Sequence, residues 1–292
     1  MTDTSSPPDV DTTVQTRLDR VPTSVTRAWL VGAVLLILPE VGALIQFAVS
    51  ALPLGETAVA VADRIPVLLS RETIPNQGTL VPGEGWQGTF LGLSPAMAWG
   101  LRVGLIYVYG ALCLYWIWRG YLLYRNRYRT ASWTPFDDVV SRFRGHRWGQ
   151  FGLIVVLAFL ILAVFAPALG PTTLEQNAID PYSYELDYYD EETGDIETIT
   201  VGTANTDTTS QGIDGRNVGP LTYDQYDRFH PFGTLPSGQD LFTQVALGAR
   251  VSLFIGLLAI TISGVVATSL ALISAYYSGL VDLAIVLVSD AT

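Results

Sequence analysis

The sequence contains no lysine. All 16 basic residues are arginine, 27 carboxylates outnumber them, and the formal charge is −11. A carboxylate-rich surface without lysine is what a protein working in high salt needs, so the expected source is a halophile, specifically a haloarchaeon. Cysteine is limited to Cys113, which excludes an intrachain disulfide and a thiolate metal cluster. It sits in an apolar run, where a small hydrophobe is its default role. His146 and His230 are the only histidines, so a histidine-rich metal site is excluded as well. No glycine-rich phosphate loop is present, and the chain is not expected to hydrolyse ATP itself. No pair of carboxylates stands beside a positioned nucleophile. The sequence therefore assigns no catalytic residue, no cofactor and no metal ligand.

What is abundant is apolar. Hydrophobic residues make up 49% of the chain and mean hydropathy is +0.35, values natural to a multi-pass membrane protein. Residues 1–27 are polar and read as a disordered cytoplasmic tail. Residues 28–118 then hold two candidate transmembrane helices, Ala28–Leu52 and Pro95–Trp118, joined by a Gly- and Pro-rich loop with a short helix expected across Thr57–Leu69. A cleaved signal peptide is the alternative for the first, but its polar leader is long and Glu40 interrupts its centre. Glu40 is costly in hydrocarbon and needs a partner or neutrality. Arg102 in the second helix is the candidate partner for an intramembrane ion pair. The competing reading keeps Glu40 neutral beside Pro39 while Arg102 reaches outward.

Residues 119–147 carry seven arginines against Asp137 and Asp138, with Trp and Tyr at the preceding helix end. Between two spans this is the positive-inside pattern, so the segment reads as a cytoplasmic loop and no nucleic acid partner is expected. Residues 148–169 form a third helix, closed by Ala166, Pro167 and Ala168. Residues 170–243 hold fourteen carboxylates and two arginines and, by the same topology, form an acidic extracellular loop. Tyr184–Tyr189 and Ile196–Val201, joined around Gly194, are expected to pair as a hairpin. The cluster Asp190, Glu191, Glu192 and Asp195 reads as solvated acidic surface; calcium binding is the alternative, without the spacing of a calcium loop.

The most informative stretch is 230–290. Gly233, Pro236 and Gly238 demand a shaped loop, after which Asp240 is placed to cap a helix. From Val251 to Tyr277 there is no charge, enough to cross a bilayer. Ser252, Gly256, Ala259, Ser263 and Ala267 recur at helical spacing, a small-residue stripe suited to close approach of another helix. The order His230-Pro231-x-Gly233-Thr234, Gly238, Asp240, then Gly248-Ala249-Arg250-x-Ser252-Leu253, then Tyr276-Tyr277, Gly279, Val281-Asp282 and Asp290 resembles the permease subunits of ABC-type importers for dipeptides, oligopeptides and nickel. Leu235, Gln239 and Leu287 stand where that family has Asp, Arg and a basic residue, which puts any ion pairs made there in doubt. The resemblance covers about residues 142–292.

The resemblance implies an all-α multi-pass fold, a type I ABC importer permease-like helical bundle, to which this chain's own residues add the large acidic extracellular loop with its expected small β-hairpin. On this reading residues 244–292 begin the transmembrane domain, with one full helix and part of the next. Neither the family's Glu-Ala-Ala coupling loop nor its later spans follow, so the bundle is expected to be incomplete at the C-terminus, a fragment or a degenerate copy. The implied partners are a second permease subunit, cytoplasmic ATP-binding subunits, an extracellular solute-binding protein and membrane lipid. Transport would proceed by alternating access driven by the ATPases. The family motif residues of interest are Gly233, Thr234, Gly238, Asp240, Gly248, Ala249, Arg250 and Asp282. A membrane-anchored sensor or assembly protein presenting the acidic loop, or a non-functional permease relic, is the alternative.

Overall fold

The computed structural model describes residues 23–51, 56–62, 64–65, 67–127, 133–209 and 217–277. The first helix, α1, spans Thr23–Ile37, so helix begins inside the stretch expected as a polar tail. A 3₁₀ turn, Leu38–Glu40, with Pro39 at its start, separates α1 from α2, Val41–Ala51. The short helix α3 covers Glu56–Ala62, less than the expected Thr57–Leu69. Beyond it Leu68 and Leu69 donate their N–H groups to Pro39 O and to Glu40 Oε1, instead of continuing a helix. Strands β1, Thr79–Val81, and β2, Gly85–Gln87, form a small antiparallel pair. Helix α4 runs from Pro95 to Arg127, longer than the expected span.

Helix α5, Pro135–Gly145, occupies the arginine-rich loop. Thr134 and Asp137 close a capping box, and Asp137 lies 3.1 Å from Arg125. Helix α6, Arg147–Val164, is broken at Phe165 ahead of α7, Ala166–Leu169, which carries Pro167. Strands β3, Glu185–Tyr189, and β4, Ile196–Thr200, pair antiparallel with Asp187 opposite Thr198. After α8, Val201–Asp207, strands β5, Thr222–Tyr223, and β6, Phe229–His230, make a third short pair. Helix α9 spans Leu241–Tyr277. Among the described residues the architecture is thus helical with three two-stranded sheets, more β-structure than the one hairpin expected.

Among the described residues four helical stretches are long and apolar enough to cross a membrane: Ser24–Gln46, in which α1 continues through the 3₁₀ turn into α2, Pro95–Asn126, Arg147–Val164 and Leu241–Tyr276. Lipid tails and leucine are equally apolar, so packing between such helices relies on close fit and hydrogen bonds. Helices α1 and α4 meet through two reciprocal contacts. Trp29 Nε1 donates to Trp116 O at 3.1 Å and Trp116 Nε1 donates to Trp29 O at 3.2 Å. Each indole lies over a glycine: a Cβ on Gly32 would strike the Trp116 ring, and one on Gly120 the Trp29 ring. Ile106, Ile161, Phe165, Ala166, Leu169, Phe242 and Ala246 form the buried core where α4, α6, α7 and α9 converge.

The connecting segments gather at one end of the bundle. Asn76 Nδ2 donates to Pro171 O at 3.1 Å, Thr79 Oγ1 to Asp187 O at 2.6 Å, and Leu80 N to Asp227 Oδ2 at 3.0 Å, while Trp86 stacks on Tyr223 with centroids 5.9 Å apart. The two long loops therefore build one extramembrane unit on the face opposite α5.

The expected Glu40–Arg102 ion pair is not formed. Both side chains are fully buried, but each bonds to backbone instead of to the other. Arg102 donates to Ala168 O at 2.9 Å, Gly170 O at 2.9 Å and Ile74 O at 2.7 Å. Two of these carbonyls, of Ala168 and Gly170, are left free where α7 ends, the third lies in the segment before β1, and a guanidinium with fixed, forked donors fits such a set. Glu40 Oε1 accepts from Leu69 N at 2.7 Å, and Oε2 has no hydrogen-bond partner. Arg102→Leu is expected to lower stability by on the order of 3 kcal/mol or more, because three buried carbonyls lose their donor. Thermal denaturation of the purified protein in detergent measures it, and an unchanged Tm would contradict the assignment.

Candidate functional site

The segment leading into α9 is held by a buried polar cluster. β6 delivers His230, the tight turn before it delivers Asp224 and Arg228, and the loop after it delivers Asp240. Arg228 Nε lies 2.6 Å from Asp224 Oδ2. His230 Nε2 lies 3.3 Å from Asp224 Oδ2, and Nδ1 lies 3.1 Å from Asp240 Oδ2. A carboxylate only accepts, so an imidazole bonded to one at each nitrogen carries two protons and a positive charge. Two cations then face two anions. That balance permits burial, since an unpaired charge in the same place would cost several kcal/mol.

The electrostatics agree. Burial opposes the His230 charge, but its bonds to Asp224 and Asp240 outweigh it and raise the histidine above its ordinary value. Burial likewise opposes ionisation of Asp224, while Arg228 and His230 together hold it below the usual carboxylate range.

Asp240 is the hinge between this cluster and the membrane. Its Oδ1 accepts from Thr243 N at 2.7 Å and Thr243 Oγ1 at 2.8 Å, an N-cap on α9. Its backbone is clamped by Asn177, whose Oδ1 accepts from Asp240 N at 2.7 Å and whose Nδ2 donates to Asp240 O at 3.1 Å. Asn205 Nδ2 in turn donates to Asn177 O at 3.3 Å and Asn205 Oδ1 accepts from Arg228 at 2.7 Å.

The motif residues expected from the sequence fall into three groups. Gly233, Thr234, Gly238 and Asp240 are brought together. Gly238 has φ +78° and packs its Cα face against Asn205 O, where no Cβ fits. Gly233 has φ +81° and lies against Val218 O, which a Cβ would approach to 2.6 Å. Thr234 Oγ1 accepts from Val218 N at 3.0 Å. Leu235 N donates to Gln239 O at 2.8 Å, so the turn closes through its backbone without a charged pair at those positions. Gly248, Ala249 and Arg250 lie two to three turns further along α9, apart from the cluster. Ala249 is buried, space beside Gly248 is open, and Arg250 donates to Gln46 O at 3.1 Å, which ties α9 to α2. Asp282 lies outside the described residues.

Asn177, Asn205, Asp224 and Arg228 were not identified from the sequence. The Asp224/Arg228 spacing of four just before the motif is a usable signal. Asn177, 63 residues from Asp240, offers none. Among the described residues no group of three or more His, Cys, Asp or Glu is placed to hold a metal.

From Val251 onward α9 is almost wholly exposed, with its small-residue stripe uncovered and only open space beside Gly256 and Gly264. The arrangement joins an ordered extramembrane unit rigidly to the start of a long apolar helix.

Stability of this unit is expected to depend on pH in two directions. His230, raised, contributes fully below about 6.5 and loses its contribution as pH rises through its higher folded value. Asp224, lowered, contributes fully above about 3.8 and loses it as pH falls through its lower folded value. The maximum should therefore lie between these limits, read as Tm against pH. In Asp240→Asn the alkaline loss should move towards lower pH; an unmoved profile would show that His230 is not paired as described.

Residues 134–187, from the cap of α5 to β3, match the family described as the N-terminal TM domain of oligopeptide transport permease C. The dipeptide transport system permease protein DppC of Haemophilus influenzae is 25% identical over 160 residues, 55% of this chain and 43% of that protein. Its namesake in Alkalihalophilus pseudofirmus is 24% identical over 165 residues, 56% of this chain and 40% of that protein. The chain thus spans less than half the length of these curated relatives. No solved structure matches it. Together with the four apolar helical stretches among the described residues, the similarity to these dipeptide and oligopeptide transport permeases supports a multi-pass membrane protein of a transport system.

Proposed function

We propose that the protein is a transmembrane permease subunit of an ABC importer for peptides or related small solutes. The observation that carries this reading is the coupling of an ordered extramembrane unit, through the Asp240 cap and the Asn177 clamp, to an apolar helix whose small-residue stripe is uncovered. A helix of that kind is suited to close packing against further helices of a translocation path. The partners on this reading are a second permease subunit, cytoplasmic ATP-binding subunits and an extracellular solute-binding protein. The N-terminus and α5 lie on the cytoplasmic side, the extramembrane unit faces outward, and transport proceeds by alternating access. The acidic, lysine-free composition fits work at high salt in a haloarchaeal membrane. Motif residues Gly233, Thr234, Gly238 and Asp240 shape the mouth of the path, and α1 and α2 brace it through Gln46 and Arg250.

The test uses the protein co-expressed with candidate ATP-binding subunits and reconstituted in liposomes with a solute-binding protein. Co-purification of the ATPases and ATP-dependent uptake of a labelled dipeptide are expected, with uptake at least roughly tenfold lower in Gly238→Val because that side chain collides with Asn205 O. A stable membrane protein that recruits no ATPase and moves no solute would favour the sensor or assembly reading. In a Cys113→Ala background, single cysteines at 193 and 140 test the orientation. A membrane-impermeant maleimide should label the first from outside and the second only after permeabilisation.

A further inference from the structure

A cavity of about 410 Å³ lies where α2, the segment 64–73, the end of α6 and α9 meet, at the level where the apolar spans give way to the extramembrane unit. Among the described residues three arginines line it, Arg64, Arg71 and Arg250, with Glu72 as the one carboxylate. Glu72 is held below the usual carboxylate range first by its hydrogen bond from Ser70, so it stays ionised, and the lining carries a net positive charge.

Arg71 is the distinctive member. Its Nη2 donates to Pro167 O at 2.7 Å, which fixes the side chain, but its buried Nη1 has no hydrogen-bond partner. Arg102, behind it, is close enough that the two like charges repel. Burial lowers Arg71 to about 10 while Glu72 acts against the shift, so it remains cationic near neutral pH. A buried guanidinium with an unused N–H thus sits beside a second buried cation, and Glu72 is the one carboxylate acting on it. The remaining walls include Ala43, Ile65, Val67, Val164 and Phe165, apolar surface beside the charged groups. Arginine's planar fork matches the oxygens of a phosphate.

We infer that this cavity is a phosphate-binding site at the membrane boundary, in which Arg71 and Arg64 hold the phosphate of an anionic ligand between the N-terminal helices and α9. A phospholipid headgroup and free phosphate share this chemistry. The mixed apolar and cationic walls, at the ends of three spans, suit the headgroup. The ligand would tie α2 and the segment 64–73 to the foot of α9, in addition to the Arg250–Gln46 bond. The inference stands apart from the importer reading, because it rests on no motif of transport and its test measures none.

The test takes the whole chain in detergent and measures retention of added phosphatidylglycerol by native mass spectrometry. A parallel titration with inorganic phosphate is followed by thermal shift. One tightly retained lipid per chain is expected, with affinity reduced tenfold or more in Arg71→Gln and in Arg64→Gln. Saturable stabilisation by inorganic phosphate that both substitutions abolish would likewise support the site, with solvent as the source of the anion. Because Arg71 also bonds to Pro167 O, its variant can fail to fold. Arg64, on the exposed rim, then decides, with Arg64→Glu expected to abolish binding in a protein that keeps its elution volume and helical circular dichroism. Binding of neither probe, or binding unchanged in the Arg64 variants, would overturn the inference.

Discussion

The charge-balanced set of Asp224, Arg228, His230 and Asp240 is the interaction on which the extramembrane unit and the start of α9 depend. Each of these groups alone would resist burial; together they form a neutral body with directed hydrogen bonds. Its position gives it consequence. One carboxylate oxygen of Asp240 belongs to the cluster and the other caps α9, so the loop cannot shift without uncapping the helix. Asn177 extends the lock into the segment after α7, and Asn205 extends it into α8.

A second set of interactions joins the N-terminal helices to the rest. In a bilayer, apolar contact alone gives little preference for one helix neighbour over another, so specific fit decides. The two indoles seated over Gly32 and Gly120, each donating to the other's carbonyl, define how α1 meets α4. Arg102 collects the carbonyls released where α7 ends, Arg71 takes one more, and Arg250 reaches Gln46. Three arginines are thus used as donors to backbone, two of them at the broken helix α6–α7. Helices α1 and α2 pack as part of the same body as the helices matched by the permease family.

Much of the membrane architecture was legible in the sequence. All four apolar runs are spanning-length helices, since a run without charge that exceeds the hydrocarbon thickness has few other stable forms. The cap at Asp240 and the need for glycine at 233 and 238 were legible too, because both are local: a side chain three residues from its donor, and backbone with positive φ. Helix ends were less so. α4 runs past Trp118, and α3 ends before Leu69, because propensity yields there to contacts with distant chain.

What the residues alone determined about this protein is its membrane class, its spans and the shape of the turn before α9, all consequences of hydropathy and local stereochemistry. The partners of its buried charges were decided only by tertiary structure. Glu40 and Arg102 looked like a pair because each needs a partner and helices supply few. Folding instead brought the carbonyls of Ile74, Ala168 and Gly170 to Arg102 and the amide of Leu69 to Glu40. Backbone groups exist at every residue and leave no mark in sequence. Which of them are left free at a helix end, and which side chain reaches them, depends on how the whole chain packs.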